Sequence, residues 1–503
     1  MAEYHVTQDG SGAETGASFA NAIAVDDMDF ASLNAGDEVT LYGEITSAIE
    51  IKSSGSNGSP ITVKGEDAVL GYWTDWAALR TWTDEGNNIW STPFTDSANN
   101  PLINFGAVGE YGERIDYIGA SKAIAKAKDW DIDTSEQKLF IYSVGAPVSY
   151  YGQVLVSDRA AIVIKDERFI TLEELGFRYA ALCVHALVRS YATADMDGVK
   201  ILGGWFENVG NGFRIGSDSA TYTMKRCEIN GVVGTTYGEK HSHIHGRVGE
   251  GNYIRNNRAV NGGLSISTAA FYIGEGENFA TGKSYIDDNY VDGYTYGKFW
   301  PSDGAGCFLD NWARNIKVNR NFVKNTEGPA YKSNSGEAGN KFNSNIGIGG
   351  TYGFLHRDSR TVNNATTKLH NNTLIGATEH AVRINNLTGT IDVRNNILGS
   401  VGDGISFAEN PTVNESHNVF FGTARQVKQD GQAATSGTSG VNADPLFVNP
   451  NGTTAEDFKL RPDSPAFGAG TCVYTTGCVP YDYRGWRARV PPDIGAFQRN
   501  LQE

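Results

Sequence analysis

The chain lacks a long hydrophobic run. No window approaches the 18 or more apolar residues of a membrane span, and the opening MAEYHVTQDG has neither a basic start nor an apolar signal core. A soluble chain is expected, with any export signal missing or removed. Methionine is scarce, at 4 residues, while glycine reaches 60 and tyrosine 23. With many Asn besides, that balance disfavours helices and favours short strands joined by tight turns. Basic residues are short as well: 42 Lys and Arg against 58 Asp and Glu leave a net charge of −16. A nucleic-acid surface normally needs a basic stripe, so nucleic acid is not an expected partner. An acidic glycan stays open, provided a local basic groove or a bound cation stands against the acidic background. The five cysteines are odd in number. Cys183, Cys227 and Cys307 sit in strand-like apolar runs and read as core, whereas Cys472 and Cys478 bracket VYTTG and are candidates for a local disulfide in an oxidising compartment.

What is present is a repeat. From Asn311 to Asn372 a short apolar strand, an Asn-bearing turn and another short strand recur three times. The last Asn of each related turn gives the series Asn208, Asn230, Asn257, Asn289, Asn321, Asn345, Asn372, Asn396 and Asn418, with gaps of 22 to 32 residues. Strands of about four to six residues at such a repeat fit three strands per turn of a solenoid, each pairing with its equivalent one coil above and below. The fold expected is therefore all-β, a single-stranded right-handed parallel β-helix. Inward side chains stack into apolar columns, and Asn at equivalent turns forms a hydrogen-bonded ladder. The Asn series is structural in the first place.

One continuous domain is read, and a monomer. Residues 1–66 form an N-terminal cap and first coil, with a short helix at Asp26 to Leu33 covering the open end. Residues 67–160 are irregular and hold Trp73, Trp76, Trp82, Trp90 and Trp130. They suggest a lateral insertion whose aromatics fill a side core or stack on sugars. Residues 161–421 are the regular coils. Residues 422–503 break the repeat with Pro and Asp and are expected to close the last coil.

The groove is sought on the strand that follows each Asn-bearing pair. With Val184, Ile215, Ile244, Ile273, Leu309, Ile384 and Phe407 set inward, alternation turns two columns outward. One runs Cys183, Arg214, His243, Tyr272, Phe308, Lys332, Leu355, Arg383, Ser406. The other runs His185, Gly216, His245, Gly274, Asp310, Asn334, Arg357, Asn385, Ala408. A solvated face is also charged, but here basic, His and Tyr side chains gather on one face of an acidic chain. Two other clusters compete for attention. His241, His243 and His245 alternate along one strand and could face a zinc ion, although no distant fourth ligand is identifiable. Asp303 and Asp310 with Glu275 offer a glycosidase acid pair.

The ends of the chain, GDEVTLYGEI with GSPITVKGE and DPLF with DIGAF, look like those of right-handed parallel β-helix proteins that act on polysaccharides. The centre resembles the alginate lyase and chondroitinase B family through Glu327, Lys332-Ser333, Asn340, Asn345 and Arg357. That resemblance implies Lys332 as base, Arg357 as acid and Glu327 as a calcium ligand, and Asp310 is a candidate second ligand. It departs from the family in Asn325 at the place of a second acid, in a longer Ser333 to Asn340 spacing, and in His-Arg-Asp around Arg357.

The chemistry asks for such groups. A proton beside a uronate carboxylate is poorly acidic until that charge is offset, so a cation must stabilise the enolate-like intermediate. Tyr272, His243 and His245 are alternative bases. Arg214, Asp310, Asn334 and Arg383 are expected to bind substrate. Lys332 and Arg357 should project clear of the core. The function expected is an endo-acting polysaccharide lyase on a uronate-containing glycan, with a glycoside hydrolase and a non-catalytic adhesion protein as alternatives. An extracellular or phage-borne setting follows from that substrate.

Overall fold

The structure, a computed structural model, describes the chain apart from residues 72–73, 95–101, 106–112, 115–123, 125–126, 128, 134–135, 158–159, 189–195, 218–223, 237–239, 242–243, 247–250, 263–265, 268, 275–282, 296–303, 311–312, 335–338, 358–365, 386–388, 409–410, 474–480, 488–489 and 500–503. Among the described residues, a 12-stranded parallel sheet runs from Ile49–Ile51 to Arg425–Gln429, and a 25-stranded sheet supplies two further faces. Each regular coil gives one strand to the first sheet and two to the second. One coil shows the rule: Ile316–Asn319, a turn, Phe322–Lys324, then Tyr331–Ser333. Each of these pairs in parallel with its equivalent one coil on, as in Val318↔Phe342, Val323↔Gly347 and Lys332↔Leu355. The fold is the parallel β-helix that the repeat predicts.

Alternation along each strand sends one set of side chains to the axis. On the 12-stranded sheet Phe271, Cys307, Tyr331, Phe354, Val382 and Ile405 stack on successive coils, all buried. Cys183, Cys227 and Cys307 are buried and form no disulfide, as their runs suggest, and Cys472 is disulfide-bonded. Cys478 lies outside the described residues.

A two-residue turn between the two strands on the larger sheet sets the period. Its first residue has positive φ, as at Asp288 (60°), Arg320 (55°) and Asn371 (55°), a region that Asn and Asp tolerate better than most side chains. Its second residue is the ladder Asn. From Asn257 to Asn418, the N–H and Nδ2 of each donate to Oδ1 of the next at 2.9–3.1 Å. The ladder is shorter than the Asn series. Val232 holds the position before Asn257, its N–H donating to Asn257 Oδ1 at 3.0 Å. Asn230 ends the strand Glu228–Asn230, and Asn208 lies inside Trp205–Val209.

The N-terminal cap is built differently from the single helix expected at 26–33. Two 3₁₀ turns, Phe19–Asn21 and Val25–Asp27, lead into irregular chain. The Asp29 side chain accepts from the Ala31 N–H at 3.0 Å, a local turn that competes with helix. Val25, Met28, Phe30 and Leu33 still plug the end of the core.

The insertion is mainly antiparallel sheet. Ile89–Pro93, Lys138–Tyr142 and Asp129–Asp133 form its main sheet, and Val154–Ser157 pairs with Leu102–Phe105. Trp76 and Trp130 are buried in its own core, with Trp82 and Trp90 packed against it. Trp73 lies outside the described residues. The helix resumes at Ala160–Lys165, which pairs directly with Ile49–Ile51 as though nothing intervened.

The C-terminal segment continues the coils through Arg425–Gln429 and Val441–Asn442, with a Val427↔Thr435 bridge at the end of the helix. It then folds back along one face. Phe447, Phe458, Ile494 and Phe497 pack on Phe322, Ile346, Ile375, Ile397 and Val419. First residues of the turns hold it: Asn395 Nδ2 donates to the Thr471 carbonyl at 2.7 Å and Ser344 Oγ to that of Tyr481 at 3.2 Å. Among the described residues no helix is long and apolar enough to cross a membrane.

Candidate active site

The outward face of the 12-stranded sheet carries the expected groove residues, and its register is observed directly. One column runs His185, Arg214, His245, Tyr272, Phe308, Lys332, Leu355, Arg383, Ser406 and Lys428. From Tyr272 onward this is the predicted column. Before it the expectation slips by two residues: His185 and His245, not Cys183 and His243, align with Arg214. A shift of two keeps every side chain on its own face, so alternation alone cannot detect it. Cys183 is fully buried in the core cluster. His243 lies outside the described residues, as do Asp303, Glu275 and the loop after Gly246. The zinc and acid-pair readings therefore lie largely outside the described chain.

In the second column the pairings Leu309↔Ser333 and Ser333↔His356 bring Asp310, Asn334 and Arg357 onto successive coils. Tyr272, Phe308 and Lys332 lie beside them in the first. The patch spans four coils at roughly 4.8 Å each.

Within it the contacts are specific. Tyr272 Oη donates to Asp310 Oδ2 at 2.6 Å, crossing from one column to the other. Its ring meets Phe308 edge-on, centroids 5.3 Å apart at 85°. Gly274 makes that crossing possible, because a Cβ there would fall 2.9 Å from Tyr272 Oη and 3.0 Å from its ring. Sequence reasoning placed Gly274 in the column without seeing that its missing side chain is the useful feature. Lys332 Nζ lies over the Phe308 ring, 4.4 Å from its centroid.

Lys332 corrects an expectation. It points outward, but the residue is only 1% exposed and ranks among the largest fully buried side chains. Phe308 and Leu355 on the neighbouring coils are buried too, so its stem is packed as a long apolar chain would be. The accessible groups of the patch are Tyr272, Asp310 and Asn334, all half-buried, and the exposed Arg357. Among the described residues Arg357 has no ion-pair partner. Arg214 is half-buried.

Arg383 is committed elsewhere. It grips Asp430 with two parallel bonds of 3.0 and 2.7 Å, and also donates to Ser406 Oγ and Asn385 Oδ1. The Arg383 guanidinium in turn holds the Asp430 carboxyl below its usual range. Asn340 and Asn345, part of the motif by resemblance, are buried and serve the backbone: Asn340 joins the Ile316 N–H and the Ala313 carbonyl, and Asn345 is a rung of the ladder.

The expected calcium ligands are not brought together. Glu327 is exposed in the turn before Tyr331–Ser333, its carbonyl accepting from Thr351 Oγ1 at 2.7 Å. Asp310 follows Ala305–Leu309 at the opposite end of the strands and is engaged by Tyr272. Among the described residues no three His, Cys, Asp or Glu side chains gather to hold an ion. No ligand set for the ion is assembled among the described residues, and no chemistry is routed through it.

Comparison with solved structures gives the same architecture. The complex of XylC with xylose is 12% identical over 98% of this chain and 98% of its own, with a TM-score of 0.59. The pectate lyase Pel9A is 13% identical over 99% of this chain and 97% of its own, at 0.46. A PL6 family polysaccharide lyase from Pseudopedobacter saltans is 12% identical over 82% of this chain and 84% of its own, at 0.36. The likeness to the XylC structure, at 0.59, is that of the parallel β-helix fold. No protein-family profile matches the chain, and no curated protein does. At these identities the likeness is one of fold, and the chemistry has to be argued from the patch.

Proposed function

We propose that the chain is a polysaccharide lyase that cleaves a uronate-containing glycan by β-elimination, within the polymer, at the patch between Tyr272 and Arg357. The observation that carries the reading is the Tyr272–Asp310 hydrogen bond of 2.6 Å with a buried Lys332 and an exposed Arg357 on the following coils. Elimination needs a group to take the proton beside the carboxylate, a cation to hold the charge that develops, and a proton for the leaving oxygen. Arg357 supplies the accessible cation, and its planar fork suits a carboxylate. Tyr272 is the accessible hydroxyl for proton transfer, oriented by Asp310. Lys332, fixed over Phe308, is the base that the family resemblance favours, and a substrate has to displace part of its cover to reach it. Asn334 lies between Asp310 and Arg357 and binds sugar hydroxyls. Arg214 holds a more distant uronate, while Arg383 keeps Asp430 in place. A bonded Cys472 fits work in an oxidising, extracytoplasmic setting.

The experiment is incubation with alginate, pectate, glycosaminoglycans and bacterial capsules, read both for the ultraviolet absorbance of an unsaturated sugar and for new reducing ends. A lyase yields both signals. Reducing ends without absorbance would make the protein a hydrolase, and an intact polymer a binding protein. The same assay in excess chelator decides the ion: activity is expected to persist, with Arg357 offsetting the carboxylate. Loss reversed by added calcium would restore Glu327 as a ligand.

A further inference from the structure

A different face of the helix carries a second ordered row. On the larger sheet, Ile254, Ile286, Val318, Phe342 and Leu369 point inward and are buried. The residue before each therefore faces out, and the register stacks these as Tyr253, Tyr285, Lys317, Lys341 and Lys368 on consecutive coils. The two tyrosine rings lie parallel, centroids 5.1 Å apart at 4°, and Tyr253 is 40% exposed. Lys317 Nζ sits over the Tyr285 ring at 4.9 Å. The row continues through Asp392 to Asn414, which lines an open cavity of about 580 Å³ together with Arg394.

Three ammonium groups directly opposite one another in a sheet repel, and such a row costs stability unless something offsets it. Burial in the first place, and then the ammonium groups of Lys368, Lys317 and Lys283, hold the proton affinity of Lys341 below the usual lysine range. On a chain of net charge −16, a row of like cations is not background. Its spacing, one cation per coil of roughly 4.8 Å, is of the same order as the spacing of carboxylates along a polymer with one uronate per sugar. The stacked tyrosines present ring edges and hydroxyls at one end of the row, and those hydroxyls can bond to sugar oxygens.

We propose that this face is a second, non-catalytic track that holds a uronate-bearing polysaccharide chain along the helix axis, with Tyr253 and Tyr285 at one end and Lys317, Lys341 and Lys368 along it. The choice of uronate polymers as ligand rests on the reading of the active site, but the track itself does not. It would keep the protein on its polymer between cleavage events.

The test uses the full chain in native gels cast with alginate, polygalacturonate or neutral dextran. Tyr272→Phe is the background, so that the polymer survives. The triple variant Lys317→Gln, Lys341→Gln, Lys368→Gln keeps the side-chain stems. It should weaken retardation by the uronate polymers about tenfold or more, with no change in dextran. Tyr253→Ala, at an exposed site, should weaken it independently. In the unmodified active site the triple change should leave the rate on short oligouronides as it was. Equal retardation of parent and triple variant overturns the track and leaves the lyase reading standing. Loss of retardation in the triple variant of a protein that forms no unsaturated product does the reverse. No retardation by any uronate polymer, or retardation by single-stranded DNA in its place, also overturns the proposal.

Discussion

Tyr272 and Lys332 differ in what their removal should do, although both belong to the same column. Tyr272→Phe removes one hydroxyl and keeps the edge contact with Phe308, so the melting temperature should hold while the rate falls roughly 10²- to 10⁴-fold. Lys332→Ala removes a buried stem as well as an amine, and should cost about 2–5 kcal/mol of stability in addition to activity. Lys332→Met separates the two, since it fills the space and lacks the amine. Near-parental turnover by Lys332→Met, with Tyr272→Phe inactive, would take the base role from Lys332. Two buried titratable groups set opposite pH trends. His356 lies inward with neither ring nitrogen hydrogen-bonded among the described residues, and burial lowers it to about 4. The unfolded chain then binds the proton first, so stability is lost as pH falls from about 6.5 to about 4. Asp287 is raised to about 6 by burial, against the pull of Arg320. The folded chain binds its proton first, so stability is gained as pH falls from about 6 to about 3.8. The two partly cancel in the parent. Asp287→Asn should stabilise by about 1–3 kcal/mol at pH 7, gain little at pH 4, and leave a steeper acid loss that melting curves across pH would display.

The strand, the turn and the ladder decide the fold, and they were legible to different degrees. The Asn pairs at 256–257, 371–372 and 395–396 announce the turn because its two positions ask for different things: a residue that tolerates positive φ, then an amide that can both donate and accept. Where the sequence writes Val232 at the ladder position, the stack ends, and Asn230 two residues earlier imitates a rung it does not form. The register slip at His185 and His245 has a similar cause. Phe213 and Ile215 are both apolar and both inward, so nothing in the pattern says which of them Val184 meets. From Tyr272 on, the observed pairings coincide with the expected register, and Asp310, Asn334 and Arg357 fall on successive coils as expected. The burial of Lys332 was not legible, because a lysine at an outward position reads as solvated whether or not the face is covered. Ladder rungs should behave as structural parts. Asn345→Ala strands the N–H of Asn321 and its own carbonyl partner, Val318. A loss of about 1–3 kcal/mol per buried group left unpaired is expected, with initial rates near the parental value at temperatures where the variant is folded. A variant of parental stability would mean that water replaces the amide.

At the scale of the whole molecule, the C-terminal segment matters most, because a solenoid has neighbours only along its axis and gains little from distant parts of the chain. Folding the segment back over five coils changes that. Phe447, Phe458, Ile494, Ala496 and Phe497 cover an apolar strip made by Phe322, Ile346, Ile375, Ile397 and Val419. The backbone of the segment is tied to the turns: Ala496 N–H donates to Thr373 Oγ1 at 3.1 Å, and Gly495 N–H to the Asn395 carbonyl at 2.8 Å. Gly495 has φ of 100°, and a Cβ there would fall 2.6 Å from Ile397 Cδ1. The strip lies on the larger sheet and the proposed patch on the 12-stranded one, so the segment should stabilise the coils that carry Lys332 and Arg357 without touching substrate. Gly495→Val should therefore lift the segment locally. Because the new side chain meets both an unfavourable backbone region and the Ile397 side chain, the expected loss is several kcal/mol. It should appear as a lower melting temperature, protease cleavage between about residues 443 and 500, and dye binding by the uncovered strip. Activity per folded molecule should be kept. If Gly495→Val instead abolishes turnover while the core coils remain protected from hydrogen exchange, the segment contributes to the active site, and its role is more than that of a covering strap.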